Sequence, residues 1–229
     1  AFSTGFLLYG ISMLYGATGS TILPQIIDEV QKNGADNPLV IVGMALVVIA
    51  MSFKIAIVPF HMWTPDVYTG APTPVTGFLS AAAKAAGFAV FVRVLLTGIP
   101  LDGANWENVL WILAVLSMTV GNLMALRQSE VKRMLAFSSI AHAGYVLVAV
   151  VVGSASAISG VIFYSFAYAV MGTGAFGILT IRDGGRVPQT YDDLAGYGRR
   201  NPFQALMMTL FMFSLIGLPL TGGFIGKLQ

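Results

Sequence analysis

Three lysines lie within long apolar stretches of the 229-residue chain, where charged side chains are least expected: Lys54, Lys84 and Lys227. At the centre of a membrane span a lysine costs about 2.5–3.5 kcal/mol on insertion scales, so it is retained mainly where it faces protein or water. None of the 10 carboxylates falls within these stretches, so the sequence offers the lysines no counter-ion. A buried amine without a counter-ion can exchange its proton, which makes the three lysines candidates for proton transfer.

Lys54 precedes a proline within an apolar segment that begins at Pro38. Because Pro59 removes a helical hydrogen bond, nearby carbonyl groups become free to solvate the ammonium together with water. If the helix continued, His61 would lie seven residues after Lys54 on the same face. The alternative interpretation is that the Lys54 side chain extends to the membrane surface and has no further role.

The other two lysines are surrounded by small or helix-breaking residues. Lys84 lies in the run Ser80–Gly87 (SAAAKAAG), which lets other helices or water approach the amine. Lys227 ends the stretch Gly217–Lys227 (GLPLTGGFIGK), whose proline and four glycines indicate a broken helix. The alternative is an unbroken helix from Pro202, which would rise about 37 Å and deliver Lys227 to the far surface.

A fourth candidate is His142, which shares a predicted helical face with Lys132 and Ser139. A histidine can both donate and accept a proton near neutral pH. Alternatively, His142 is only a hydrogen-bonded residue of the protein core, and Lys132 is only one of the basic residues clustered at the end of the span. Tyr164 and Tyr168, four residues apart beside Ser165, could order water or could only pack between helices.

The composition indicates that these residues lie in a membrane. The chain is 56% hydrophobic and 10% charged, whereas an ordinary soluble domain is about 25% charged, and its mean hydropathy is +0.81. The absence of cysteine and the presence of only 2 histidines predict no metal site and exclude thiolate chemistry. A net charge of +2 without a basic patch predicts no nucleic-acid partner.

A helix needs about 20 apolar residues to cross the bilayer, and seven segments meet or approach that length. The sequence therefore predicts an all-α, polytopic bundle of transmembrane helices, with residues 1–229 forming a single membrane domain and no soluble domain. The chain begins without a methionine and stops within an apolar stretch, so we expect an internal fragment of a longer membrane protein. Trp63–Gly70 is expected to be a loop or a half-helix between spans. The predicted spans are Ala1–Gly19, Pro38–His61, Pro74–Leu96, Trp106–Leu126, Val131–Val152, Ala157–Ile181 and Pro202 to the end.

Basic residues are distributed unequally between alternate loops. Loops rich in Lys and Arg lie on the cytoplasmic side, so the loops of the richer set are predicted to be cytoplasmic in a cell (inner) membrane. The poorer set has Lys32 and Arg93. The richer set has Arg127, Lys132, Arg133, Arg182, Arg186, Arg199 and Arg200.

Four stretches resemble a known family, the subunit N family of the bacterial proton-pumping NADH:quinone oxidoreductase (respiratory complex I). The resemblance covers essentially the whole chain, in order. Sister subunits L and M and the Mrp-type antiporters share the broken helices and buried lysines, but the amino-acid sequence of residues 64–74 favours the subunit N family. The stretches are 58–75 (VPFHMWTPDVYTGAPTPV), 121–126 (GNLMAL), 132–145 (KRMLAFSSIAHAGY) and 222–227 (GGFIGK).

The resemblance implies an antiporter-like fold of inverted repeats, each with a broken helix, and a line of charged residues at mid-membrane. By motif, Lys54 and Lys227 match the lysines of the two broken helices, and Lys84 matches the linking lysine of the next helix. Lys132 and His142 match charged or polar positions of the connecting path, so the five residues are expected to form a proton relay. The family pairs its first lysine with a glutamate upstream of the matched region, which accounts for the absent counter-ion.

The function that the resemblance implies is proton translocation coupled to quinone reduction elsewhere in the complex. The chain would then be a subunit of a translocating enzyme, with no cofactor and no redox site of its own. NADH, FMN, iron–sulfur clusters and quinone are expected in partner subunits, and the expected neighbours are L-, M-, K-, J- and A-like membrane subunits and lipid. Two alternatives remain open: a Mrp-type cation/proton antiporter subunit, and a structural subunit whose lysines have no role in transport.

Overall fold

The computed structural model describes residues 2–33, 37–98, 106–183 and 190–228, and the regular elements in these ranges are helices. Helix α9 is followed by a short 3₁₀ turn, Asp192–Leu194, and a π-helical turn, Leu79–Ala83, joins α5 to α6. The α-helices are α1 Phe2–Thr18, α2 Leu23–Asn33, α3 Pro38–Ile55, α4 Trp63–Gly70, α5 Thr73–Phe78, α6 Lys84–Gly98, α7 Trp106–Leu126, α8 Val131–Val152, α9 Ala155–Asp183, α10 Tyr197–Arg200, α11 Pro202–Ile216 and α12 Gly222–Leu228.

The helical membrane fold predicted from the sequence is confirmed. Among the described residues 5 helical segments are long and apolar enough to cross a membrane, and α1 with α2, bent by 53°, adds a sixth if the pair is counted as one span. The seventh predicted span corresponds to α11, a shorter apolar helix, followed by α12. The predicted spans Trp106–Leu126 and Val131–Val152 coincide with α7 and α8, and Trp63–Gly70, which was expected to be either a loop or a half-helix, is the short helix α4.

The α7–α8 hairpin is held together by small residues at its interface. A Cβ atom added at Gly121 would lie 2.7 Å from the backbone nitrogen of Ala141, and one at Gly144 would lie 2.9 Å from the carbonyl oxygen of Ala114. Lipid tails are as apolar as the helices themselves, so no hydrophobic force drives helices together within a membrane. Helices there associate through close packing of their backbones, which small residues permit. The hairpin therefore fixes α8, which carries His142, against α7.

The second predicted span, Pro38–His61, is not one helix. Helix α3 ends at Ile55, since Ala56 takes a left-handed conformation with φ 61° and the Ile57 N–H turns back to the Ser52 carbonyl at 2.9 Å. This is a Schellman-type helix end. The break expected at Pro59 is thus present, and because α3 ends at Ile55 the condition for His61 to share a helical face with Lys54 is not met.

Two polar contacts from other parts of the chain hold this break. The Trp63 indole N–H donates to the Phe53 carbonyl at 2.7 Å, so α4 caps the end of α3. The Val58 N–H donates to the Ser117 hydroxyl of α7 at 3.0 Å, and Ser117 in turn donates to the Leu113 carbonyl. Since buried amide groups must find partners, these contacts satisfy backbone groups that the break releases.

The break between α11 and α12 is built in the same way. Gly217 has φ 88°, and the Leu218 N–H donates to the Phe213 carbonyl at 3.1 Å, as Ile57 does to Ser52. A Cβ atom at Gly223 would lie 1.8 Å from the Ser214 carbonyl oxygen, so α12 approaches the backbone of α11 where only glycine fits. The alternative of an unbroken helix carrying Lys227 to the far surface is therefore wrong.

Neighbouring cations of α8 hold α4 at both of its ends. The buried Lys132 ammonium donates to the carbonyls of Thr69 and Ala71 at 3.2 and 2.7 Å, at the C-terminal end of α4. The Arg133 guanidinium pairs with Asp66, in the first turn of α4, at 2.8 Å. A cation at a helix C-terminus and a carboxylate near the N-terminus both complement the helix dipole.

The contact at Gly144 gives a stability test. In the full-length subunit, Gly144→Ala places a methyl group against the backbone of α7, so we expect a loss of about 1–3 kcal/mol through overpacking. The thermal unfolding midpoint of the purified protein in detergent measures it. The matched control is Gly16→Ala in α1, where no described atom lies within 4 Å of an added Cβ. Equal midpoints for the two variants would contradict the close contact of α7 with α8.

Candidate functional site

Lys84 begins α6 directly after the π-helical turn, and its side chain is buried, with 6% of its surface exposed. Its ammonium crosses to α8, where it donates to the Ser139 hydroxyl at 2.8 Å and also to the Ser139 carbonyl. The Ser139 hydroxyl donates its own proton to the Ala136 carbonyl, which leaves its lone pairs free to accept from Lys84. Short π-helical turns occur frequently at functional sites.

His142 lies one helical turn beyond Ser139 on α8 and is also buried. A hydrogen bond joins its Nδ1 atom to the Tyr164 hydroxyl of α9. Tyr168 brings its ring centre to 5.1 Å from the imidazole and Tyr145 to 5.7 Å. The structure thus brings both tyrosines that the sequence singled out, Tyr164 and Tyr168, to the histidine, and it confirms a buried, hydrogen-bonded position for His142.

Lys227 folds back onto the helix break that precedes it. Its ammonium donates to the carbonyls of Leu215 and Ile216 at 3.0 and 3.1 Å, the last carbonyls of α11. The C-terminal end of a helix carries a partial negative charge, so it favours a cation. On its other side the ammonium lies 4.6 Å from the ring centre of Tyr145, in a cation–π contact.

Residues of α6, α8 and α12 lie next to one another in a series, which we call the lysine–histidine row: Lys84, Ser139, His142, Tyr145 and Lys227. Lys84 bonds to Ser139, His142 follows Ser139 one turn later on α8, and the Tyr145 ring contacts both His142 and Lys227. Within the described residues no carboxylate forms an ion pair with either lysine, so each ammonium is solvated by hydroxyl, carbonyl and ring groups.

A small cavity adjoins the row. It has a volume of about 20 Å³ and is lined by Lys84, Ser139, His142, Tyr164 and Tyr168, among others. A cavity of this size with several polar groups can hold about one water molecule. A water there would complete a path of proton donors and acceptors between Lys84 and His142.

The remaining two predicted site residues lie in different surroundings. Lys54, in the last turn of α3, is exposed and has no hydrogen bond to a described residue. Lys132 contacts the end of α4, as described above. The structure therefore brings Lys84, His142 and Lys227 together, and the relay roles predicted for Lys54 and Lys132 stay predictions. In the described part of the chain no group of three or more His, Cys, Asp or Glu could hold a metal.

Three contributors were missed by the sequence analysis. Tyr145 follows His142 by three residues, which places both on one helical face, so the spacing alone could have suggested it. Trp63 and Ser117 hold the first helix break, but no local pattern connects either residue with a carbonyl or an amide far along the chain.

Comparison with known proteins identifies the family. The family model described as "NADH:quinone oxidoreductase/Mrp antiporter, TM" matches residues 1–229. A curated relative, the NADH-quinone oxidoreductase subunit N of Trichlorobacter lovleyi, is 55% identical over 229 residues, which are 99% of this chain and 47% of that protein. The chain thus spans about half the length of this relative, and the resemblance to the subunit N family is confirmed.

Solved structures support the same assignment. A chain of respiratory complex I from Thermus thermophilus with bound aureothin matches with a TM-score of 0.81 and 39% identity, over 99% of this chain and 48% of that chain. A chain of the Mrp complex from Dietzia sp. matches with a TM-score of 0.86 and 25% identity, over 99% of this chain and 42% of that chain. The chain therefore belongs to the NADH:quinone oxidoreductase/Mrp antiporter family of transmembrane proteins.

Proposed function

We propose that this chain is the proton-conducting part of the membrane subunit of subunit N type in an NADH-quinone oxidoreductase. The observation that carries the proposal is the lysine–histidine row, in which two lysines lie on either side of a buried histidine of the apolar helix α8. Quinone reduction elsewhere in the complex would supply the energy. The row itself contains proton donors and acceptors and performs no redox step.

Proton transfer along the row depends on the charge at its two ends. At Lys84 a proton can leave through water in the adjoining cavity toward His142. Because like charges repel strongly in a medium of low dielectric, a proton that arrives at Lys84 favours release from Lys227. The imidazole of His142 lies between the two ammonium groups and can receive a proton from one side and give it to the other.

Lys54 has a separate place in this proposal. Its exposed position at the end of α3 leaves the ammonium accessible to groups outside the described residues. We propose that its partner is the glutamate implied by the family resemblance, and that the approach of this carboxylate gates proton transfer. We further propose that neighbouring membrane-arm subunits cover the outer face, and that the loops carrying Arg127 and Arg199 are cytoplasmic.

A charge-neutral replacement of Lys84 tests the proposal in the full-length subunit, assembled in its complex and reconstituted in liposomes. Lys84→Met keeps the side-chain length but removes the proton, so we expect the protons moved per NADH oxidised to fall about tenfold or more. Lys84→Arg keeps the charge but does not release its proton, so it is expected to lose pumping as well. The matched control is Lys32→Met, because Lys32 is an exposed lysine of α2 paired with Glu29.

The outcomes separate the alternatives. Full pumping by both Lys84 variants in normally assembled complex would overturn the proposal. If Lys84→Arg restores both assembly and pumping, the lysine has a structural role, as in the alternative of a structural subunit. If proton movement follows an imposed sodium gradient and does not follow NADH oxidation, the chain functions as a Mrp-type antiporter subunit.

Lys132 offers a second test, because its contact with α4 and its predicted relay role lead to different results. Arginine can still donate to the carbonyls of Thr69 and Ala71, so we expect Lys132→Arg to keep more than about half of the pumping. Lys132→Met leaves these carbonyls without a donor, and we expect thermal stability to fall by about 1–3 kcal/mol. Normal stability with lost pumping in Lys132→Arg would instead support the relay role.

A further inference from the structure

The ammonium of Lys227 has an aromatic contact in addition to its hydrogen bonds. Two donated bonds, to the Leu215 and Ile216 carbonyls, leave one N–H of the ammonium uncommitted. The ring of Tyr145 lies at 4.6 Å from the nitrogen, within the range of a cation–π contact. The face of an aromatic ring carries negative electrostatic potential, so it attracts the ammonium only while the lysine is charged.

Close packing of α12 fixes the backbone from which the Lys227 side chain extends toward this ring. A Cβ atom at Gly226 would lie 2.6 Å from Cδ2 of Tyr164, so α12 lies directly against α9. At Gly217 an added Cβ would lie 3.2 Å from the Lys227 Cδ atom, which places the lysine stem against the helix break. The ammonium is thereby held between the end of α11 and the ring of Tyr145 on α8.

The same ring also touches the histidine of the row. Tyr145 and His142 meet edge to face, with ring centres 5.7 Å apart and planes at 67°. Tyr145 is therefore the side chain that contacts both Lys227 and His142. Tyr164 and Tyr168 contact the imidazole as well, but in the described residues the cation–π contact of Lys227 is with Tyr145.

We propose that Tyr145 is a positioning residue for Lys227, holding the protonated amine near His142 through the face of its ring. The inference rests on the proposed function, since it concerns the lysine that would release the proton. The carbonyls of Leu215 and Ile216 can accept a hydrogen bond from either the charged or the neutral amine. The ring distinguishes the two, so it holds Lys227 while the amine is charged and frees it after the proton has left.

Fluorination of the ring tests the proposal. Each fluorine weakens the negative electrostatic potential on the face of the ring and changes the size of the ring little. Tyr145 is replaced by phenylalanine and by its mono-, di- and trifluorinated forms in the full-length subunit, and protons moved per NADH oxidised are measured in the reconstituted complex. Phenylalanine is expected to keep most of the pumping. Successive fluorines are expected to lower it stepwise, to a total loss of about threefold or more for the trifluorinated ring.

Two controls make the result specific. The same fluorinated residues at Phe91, whose ring is fully buried in the apolar core, are expected to show no gradient. In a Lys227→Met background pumping is expected to be lost with every ring at Tyr145, because the amine that the ring would hold is gone. Complex assembly is measured for each variant, so that lost pumping is compared at equal amounts of complex.

Different results would contradict the positioning role of Tyr145 and the proposed proton-conducting function. Equal pumping by all four rings at Tyr145, together with lost pumping in Lys227→Met, would overturn the role of Tyr145 and leave the proposed function intact. Unchanged pumping in Lys227→Met itself would overturn the role of Lys227 in the proposed function. A gradient that persists in the Lys227→Met background would show that the ring acts on another group, and it too would overturn the proposal.

Discussion

A lysine ammonium inside a membrane protein must be solvated by oxygen atoms or aromatic faces that the protein itself supplies, because lipid supplies none. Backbone carbonyls are the most abundant oxygen atoms, but a regular helix uses nearly all of them internally. The chain meets this constraint by interrupting its helices. Lys227 is bound by the last carbonyls of α11, which the break at Gly217 leaves without helical donors. Lys84 follows a π-helical turn and reaches the serine of a neighbouring helix.

The two breaks share one backbone geometry but place their lysines differently. Each ends its first helix with a left-handed residue and a returning N–H, at Ala56 and at Gly217. Lys54 precedes its break and is exposed, with no hydrogen bond to a described residue, whereas Lys227 follows its break and folds back onto the carbonyls that the break releases. In the first break the released groups bind Trp63 and Ser117 instead. The same backbone geometry therefore provides a binding site for Lys227, whereas for Lys54 it only ends the helix that carries the residue.

Most of the helical framework could be predicted from the sequence, because apolar length is a local property. The spans of α7 and α8 were predicted to the residue, and the breaks were indicated by Pro59 and by the glycines around Lys227. Whether a lysine lies before or after the helix break could not be predicted. The answer depends on the residue at which the helix ends, and the segment around the break is apolar throughout. The end of α3 at Ile55, which keeps His61 off the face of Lys54, is one such case. The spacing of Tyr145 from His142 is local, but its contact with Lys227 depends on how distant parts of the chain come together.

Glycine has a consistent role wherever the row is assembled. Gly144 lets α7 approach α8, Gly223 lets α12 approach α11, and Gly226 lets α12 approach α9. Each of these contacts places backbone or ring atoms where a methyl group would overlap them, so the positions of His142 and Lys227 depend on residues that carry no functional group. Closely packed helices are also rigid, because a protein interior without voids has low compressibility. A rigid frame leaves the lysine side chains as the parts that can respond to a change of charge, as the proposed proton transfer requires.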